Sequence, residues 1–151
     1  MKKIVSLILC CAMALSFAAC AAGKYSPSEY SDSVVNDKVQ MFIPQKTVTD
    51  ETDEFTVSFE NMTEDDYSYD ATQRLEIWKD NQWCVVKDKQ DFTTLELHVL
   101  PAATTDERTF YVADHYGKLA EGRYRVVMIF TDHDGNQTLA AAEFGIGRVD
   151  K

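Results

Sequence analysis

Two acidic runs hold the densest set of potential metal ligands in the chain. Glu64, Asp65, Asp66 and Asp70 crowd one connection, and Asp132 and Asp134 flank a second in Asp132-His133-Asp134-Gly135-Asn136. Calcium is held by several hard oxygens at once. If both connections share one end of the fold, Asp65, Asp66, Asp132 and Asp134 could supply them. The competing reading is that Asp and Asn are good turn formers and that an acidic rim keeps a protein soluble. The run Asp50, Glu51, Asp53, Glu54 precedes the strand that Glu64 follows, so it falls at the other end. No cofactor besides calcium is expected.

Aromatic residues with a polar tip make good binding anchors. Tyr67 and Tyr69 alternate with Ser68 after the first acidic run, where they either form a contact surface or begin a strand with both rings packed inward. Trp78 is out of phase with Leu75 and Ile77 and is expected on an outer sheet face, as a hot spot or packed on Arg74, Lys79 or the N-terminal segment. No serine sits in a Gly-x-Ser-x-Gly elbow. Cys84, beside Trp83, reads as a small strand-filling thiol, and His98, between Leu97 and Val99, as a residue of a solvent face. Three scattered histidines do not make a zinc site. No enzyme activity is expected.

These residues need elements to place them, and the N-terminus says where the chain goes. Met1-Lys2-Lys3 is a basic start, and residues 4–17 form an apolar run too short to span a bilayer, the pattern of a secretory signal. It closes on Phe17-Ala18-Ala19-Cys20, which resembles the lipobox of bacterial lipoproteins. The resemblance implies cleavage after residue 19, acylation of Cys20 and a lipid-anchored place at the cell membrane or outer envelope. Plain secretory cleavage after Ala19 is the alternative. Losing the leader's two lysines takes the net charge from −10 to −12, which disfavours nucleic acid and anionic headgroups as partners. Only Cys84 then accompanies Cys20, so no disulfide framework is expected.

Residues 20–38, where Ser recurs with Gly23, Pro27 and Asp32, read as a flexible tether whose Tyr25 and Tyr30 could dock on the domain. From residue 39 to 151, short segments of period two recur between turn signals, the pattern of an all-β sandwich of about seven to eight antiparallel strands. Phe55, Val57 and Phe59 face one way. Leu75 and Ile77, then Trp83 and Val85, then Leu95, Leu97 and Val99, then Phe110 and Val112 repeat the pattern. Residues 123–131 are the most apolar run and read as a central strand, and 138–146 return as the last. An order in which one short middle segment is not a true reversal brings the two acidic connections to the same end.

Arg74-Leu75-Glu76-Ile77-Trp78 with Asn81-Gln82-Trp83, then Leu119-Ala120-Glu121-Gly122-Arg123-Tyr124 and a final Ala142-Glu143-Phe144-Gly145-Ile146, resemble a bacterial immunoglobulin-like domain of small lipoproteins. Leu119 would cap the sandwich, Gly122 would permit the turn into the strand, and the Tyr124 hydroxyl would bond loop backbone. Such a fold is silent about ligand. Two function classes are expected: a noncatalytic interaction or accessory module of the envelope, meeting a protein or a glycan, or a proteinase inhibitor using the loop at residues 64–70.

Overall fold

Side chains that point alternately to the two sides of a strand give the chain its pattern of burial. The structure, a computed structural model, describes residues 25–30, 34, 36–45, 47–72, 74–90 and 96–147. Ten strands run through them: β1 (Tyr25–Pro27), β2 (Val39–Phe42), β3 (Glu54–Asn61), β4 (Tyr67–Asp70), β5 (Arg74–Lys79), β6 (Gln82–Val86), β7 (Leu97–Leu100), β8 (Thr105–Tyr111), β9 (Gly122–Thr131) and β10 (Gln137–Ile146). One helical turn, α1 (Val112–His115), follows β8. Every pairing is antiparallel. The expected all-β sandwich is therefore the architecture. It has ten strands rather than seven or eight because β1 and β4 form where a tether and a loop were expected.

The larger sheet runs β1-β6-β5-β9-β4-β7, with β10 also on β9; the smaller is β2-β3-β8. β9 is central, as expected. β10 covers one of its edges from Gly122 to Thr131, so β4 and β5 must share the other. The two are halves of one broken strand: Tyr69 pairs with Phe130 and Arg74 with Val127, five residues against three on β9. The excess bulges out at residues 70–72, where the Asp70 carboxylate accepts the Thr72 N–H at 2.9 Å and closes an Asx turn. Beyond the break the next column is also in two pieces, β6 on β5 and β7 on β4.

β6 and β7 thus run in the same direction, and this missing reversal brings the acidic connections together. β4 starts where β9 ends, with Ser68 opposite Thr131. Between β5 and β6, Asp80 and Asn81 both take positive φ, 49° and 63°. That is the type I′ turn that matches strand twist.

Packing between the sheets forms one core with two aromatic clusters. Phe59, Tyr69 and Phe130 meet at 5.0 to 5.5 Å near the acidic connections. Phe55, Phe110 and Phe144 meet at 5.1 Å toward the other end, where Tyr116 stacks on Phe110. The Tyr124 hydroxyl donates to the Ala120 carbonyl at 2.8 Å, as expected for a tyrosine corner. Gly122 makes a close approach rather than a turn: a Cβ there would lie 3.2 Å from Ile77 Cδ1, which would have to give by a few tenths of an ångström.

Several sequence expectations are corrected. The tether reading fails for residues 25–30, which dock on the larger sheet. β1 pairs with β6, the Ser28 N–H donates to the Trp83 carbonyl at 2.9 Å, and the Ser28 hydroxyl donates to Glu76 at 2.5 Å. Beneath lies an ion pair, Arg125 Nε to Glu76 Oε2 at 2.6 Å, with both side chains 1% exposed. The Arg125 guanidinium sits 4.4 Å from the Trp83 ring. Burying two charges on the outer face requires such pairing and a cover, and the N-terminal segment supplies part of it. In β7 the phase is reversed: Leu97 and Val99 are 68% and 58% exposed, while Leu100 is core and His98 turns inward to stack on Tyr69 at 5.3 Å. Cys84 is not a lone thiol but a disulfide cysteine. Cys10, Cys11 and Cys20, with the expected signal at residues 1–19, lie outside the described residues.

Candidate functional site

The break in the sheet opens a cleft of about 410 Å³ between the terminal strands of the two sheets. One wall is the bulge at Asp70, Ala71 and Thr72 with Glu96 and His98 at the start of β7. The other is β8 from Glu107 to Tyr111. Val57, Val126 and Met128 reach in from β3 and β9 to form an apolar floor, joined by Phe110. A cavity of this size, apolar below with a few polar groups converging above, is the usual form of a recognition site.

Tyr69 holds the polar side together. Its hydroxyl donates to Asp106 Oδ2 at 2.6 Å and accepts from Arg108 Nε at 2.9 Å, and its ring carries His98. Burial, with Asp106 beside it, pushes the phenol up to about 12. Burial works to raise the Asp106 carboxyl, but hydrogen bonds from Tyr69 and from the Glu107 N–H, with Arg108 nearby, outweigh it and lower the group. Arg108 is thus engaged by Tyr69 and Asp106, while Asp70, Glu96 and Glu107 line the mouth. The site presents negative charge above a greasy floor. It suits a ligand with an apolar group to bury and a cation to leave at the rim.

Of the two readings of Tyr67 and Tyr69, a contact surface or the start of a strand with both rings packed inward, the second holds: they are 3% and 2% exposed. They sit in β4, flanked by β7 and β9, and face the core, so neither presents a surface. The alternation with Ser68 was the strand signal. Trp78 does lie on the outer face, half-buried, with Trp83 at 5.3 Å and the Arg123 guanidinium 5.6 Å away.

The acidic connections do share an end, yet their carboxylates do not converge. Asp66 Oδ1 accepts the Ala102 N–H at 2.8 Å. Asp132 Oδ1 accepts from the N–H groups of Asp134 at 3.0 Å and Asn136 at 2.8 Å. The Asn136 side chain, foremost, lowers the Asp132 carboxyl. Asp65 contributes its backbone carbonyl to Asn61 Nδ2 at 2.8 Å, and Asp134 meets His133 at 3.3 Å. Among the described residues no group of three or more His, Cys, Asp or Glu is placed to hold a metal ion.

The cleft is not legible in the sequence because its residues are ordinary members of four separate strands and one bulge. The only local signal was Asp70-Ala71-Thr72, two residues too many for an unbroken strand.

No curated protein matches the chain. Among solved structures, the ASH/PapD-like domain of human CEP192 (PapD-like domain 7) is similar at 12% identity and a TM-score of 0.36, over 83% of this chain and 97% of that one. Residues 35–144 match the family model described as Bacterial Ig-like domain. That match spans most of the two sheets and leaves β1 outside it, and the chain belongs to the bacterial Ig-like domain family.

Proposed function

We propose that this chain is a noncatalytic interaction module of the cell envelope that recognises a protein partner through the cleft between β7 and β8. The observation that carries the reading is the cleft itself: about 410 Å³, with an apolar floor under a carboxylate-lined mouth. Membership of an Ig-like family agrees with such a role. Two candidates for chemistry are engaged elsewhere, His115 with Asp88 at 2.8 Å and Cys84 inside β6. In this reading the leader directs export and Cys20 carries the lipid anchor. The mass of the mature N-terminus tests both the cleavage and the acylation.

The test uses residues 21–151 as bait against envelope fractions, beside a Thr72→Trp, Glu107→Lys variant that fills and recharges the cleft. A partner held by the parent and lost by the variant supports the reading. Equal capture by both overturns it. Cys20→Ser should move the full-length protein out of the membrane fraction.

The inhibitor reading is favoured by one feature, a loop held rigid. The buried Asn61 side chain donates to the carbonyls of Asp65 at 2.8 Å and Pro101 at 3.0 Å and accepts the Thr63 N–H at 3.0 Å, leaving Met62 exposed. Only residues 62–66 form this loop, since 67–70 are strand. Failure to protect substrates from secreted and lysosomal-type proteases would remove this reading.

A further inference from the structure

We infer that the cleft takes an extended peptide segment that adds as a strand to β7, with apolar side chains beside Leu97 and Val99 and basic side chains turned toward the carboxylates of the cleft. The inference rests on the cleft being the recognition site, and an observation outside the cleft supports it. β7 is the last strand of its sheet, and among the described residues no strand pairs with its second edge. An unpaired edge is a template for another chain, and proteins usually blunt it with charge, proline or a bulge. Here the edge instead alternates Leu97 and Val99, 68% and 58% exposed, with His98 and Leu100 turned inward.

A strand added there reads both faces of β7 at once, because successive side chains point to opposite sides. On the inner side, positions beside His98 face the polar groups of the cleft, where Glu96 lies 3.6 Å from His98 and Asp106 accepts the Tyr69 hydroxyl. On the outer side, positions beside Leu97 and Val99 complete an apolar pair that water now covers. Charge selects the sequence. Asp70, Glu96 and Glu107 line the mouth, and its one arginine, Arg108, is already engaged by Tyr69 and lies 3.7 Å from Asp106. An acidic strand would be repelled; a strand alternating Lys or Arg with Ile or Val would be drawn in.

The experiment titrates isotope-labelled residues 21–151 with a synthetic peptide alternating lysine and isoleucine, and with one of equal length alternating glutamate and isoleucine. The expected result is saturable binding of the basic peptide alone, with new protection of amides in residues 97–100. A Val99→Lys, Glu107→Lys variant that keeps the parental melting temperature should bind at least about tenfold more weakly. Equal binding of both peptides, no binding of the basic one, or binding that leaves 97–100 unprotected overturns strand addition. The reading of the cleft fails separately, when filling it leaves partner capture unchanged; a partner lost on filling, with β7 amides unprotected, sinks only the strand.

Discussion

The loop end and the cleft are both acidic, and the same residue type does different work in each. At the loop end Asp66 and Asp132 accept backbone N–H groups, so their charge is spent on fixing turns. At the cleft Asp70 also closes a turn, Glu96 lies 3.6 Å from His98 and Glu107 accepts the Ser58 hydroxyl at 2.8 Å, yet all three border an apolar cavity. Acidic density in a sequence therefore does not mark a site. The geometry behind the carboxylates decides, and at the cleft a cavity of about 410 Å³ lies behind them.

The largest effect that separates the two regions comes from Asn61→Ala. It removes a buried amide whose bonds to the Asp65 and Pro101 carbonyls and the Thr63 N–H hold the loop end, and should cost about 3 kcal/mol, at about 1 kcal/mol per bond. Urea denaturation measures the loss, and limited proteolysis should cut near residue 62 while the cleft residues stay protected.

Tyr69→Phe acts on the cleft alone. It leaves the ring in the core and removes the hydroxyl that joins Asp106 to Arg108, for a loss of about 1 kcal/mol. Partner capture should weaken while amide protection at residues 62–66 stays as in the parent; the reverse pattern would break the distinction drawn above.

Asp132→Ala opens an exposed turn and should cost about 0.5 to 1 kcal/mol, seen as a small fall in melting temperature. Calcium should shift the melting temperature of neither parent nor variant if this carboxylate serves only the turn.

The smallest effect is one of pH. The Asp106 carboxyl is lowered in the folded state, so its contribution is present above the ordinary carboxylate range and is lost as pH falls through that range toward the folded value. Asp106→Asn should flatten this part of the acid limb of stability, by less than about 0.5 kcal/mol because the group is partly exposed and screened.

What was legible in the sequence follows from these same forces. Period-two alternation announced β3 and β10, and a continuous apolar run announced β9, which is buried on both faces. The Asp-Asn turn and the Gly-x-Tyr corner carry their geometry in their own residues. Three features were hidden. Leu97 and Val99 look like core residues, and the sign of their alternation was set by a distant ring, Tyr69, that claimed His98. Tyr67 and Tyr69 look like loop anchors because the strand that takes them in is broken after four residues. Residues 25–30 lack apolar periodicity, and they are held by Ser28 on a buried ion pair that only the folded sheet creates.

The central claim, that recognition belongs to the cleft and not to the loop end, is tested most directly by amide exchange of residues 21–151 with and without the partner they capture. The account predicts new protection in residues 96–100 and 107–111, with residues 62–66 and 132–136 exchanging as before. Protection confined to the loops at 62–66 and 132–136 would contradict it.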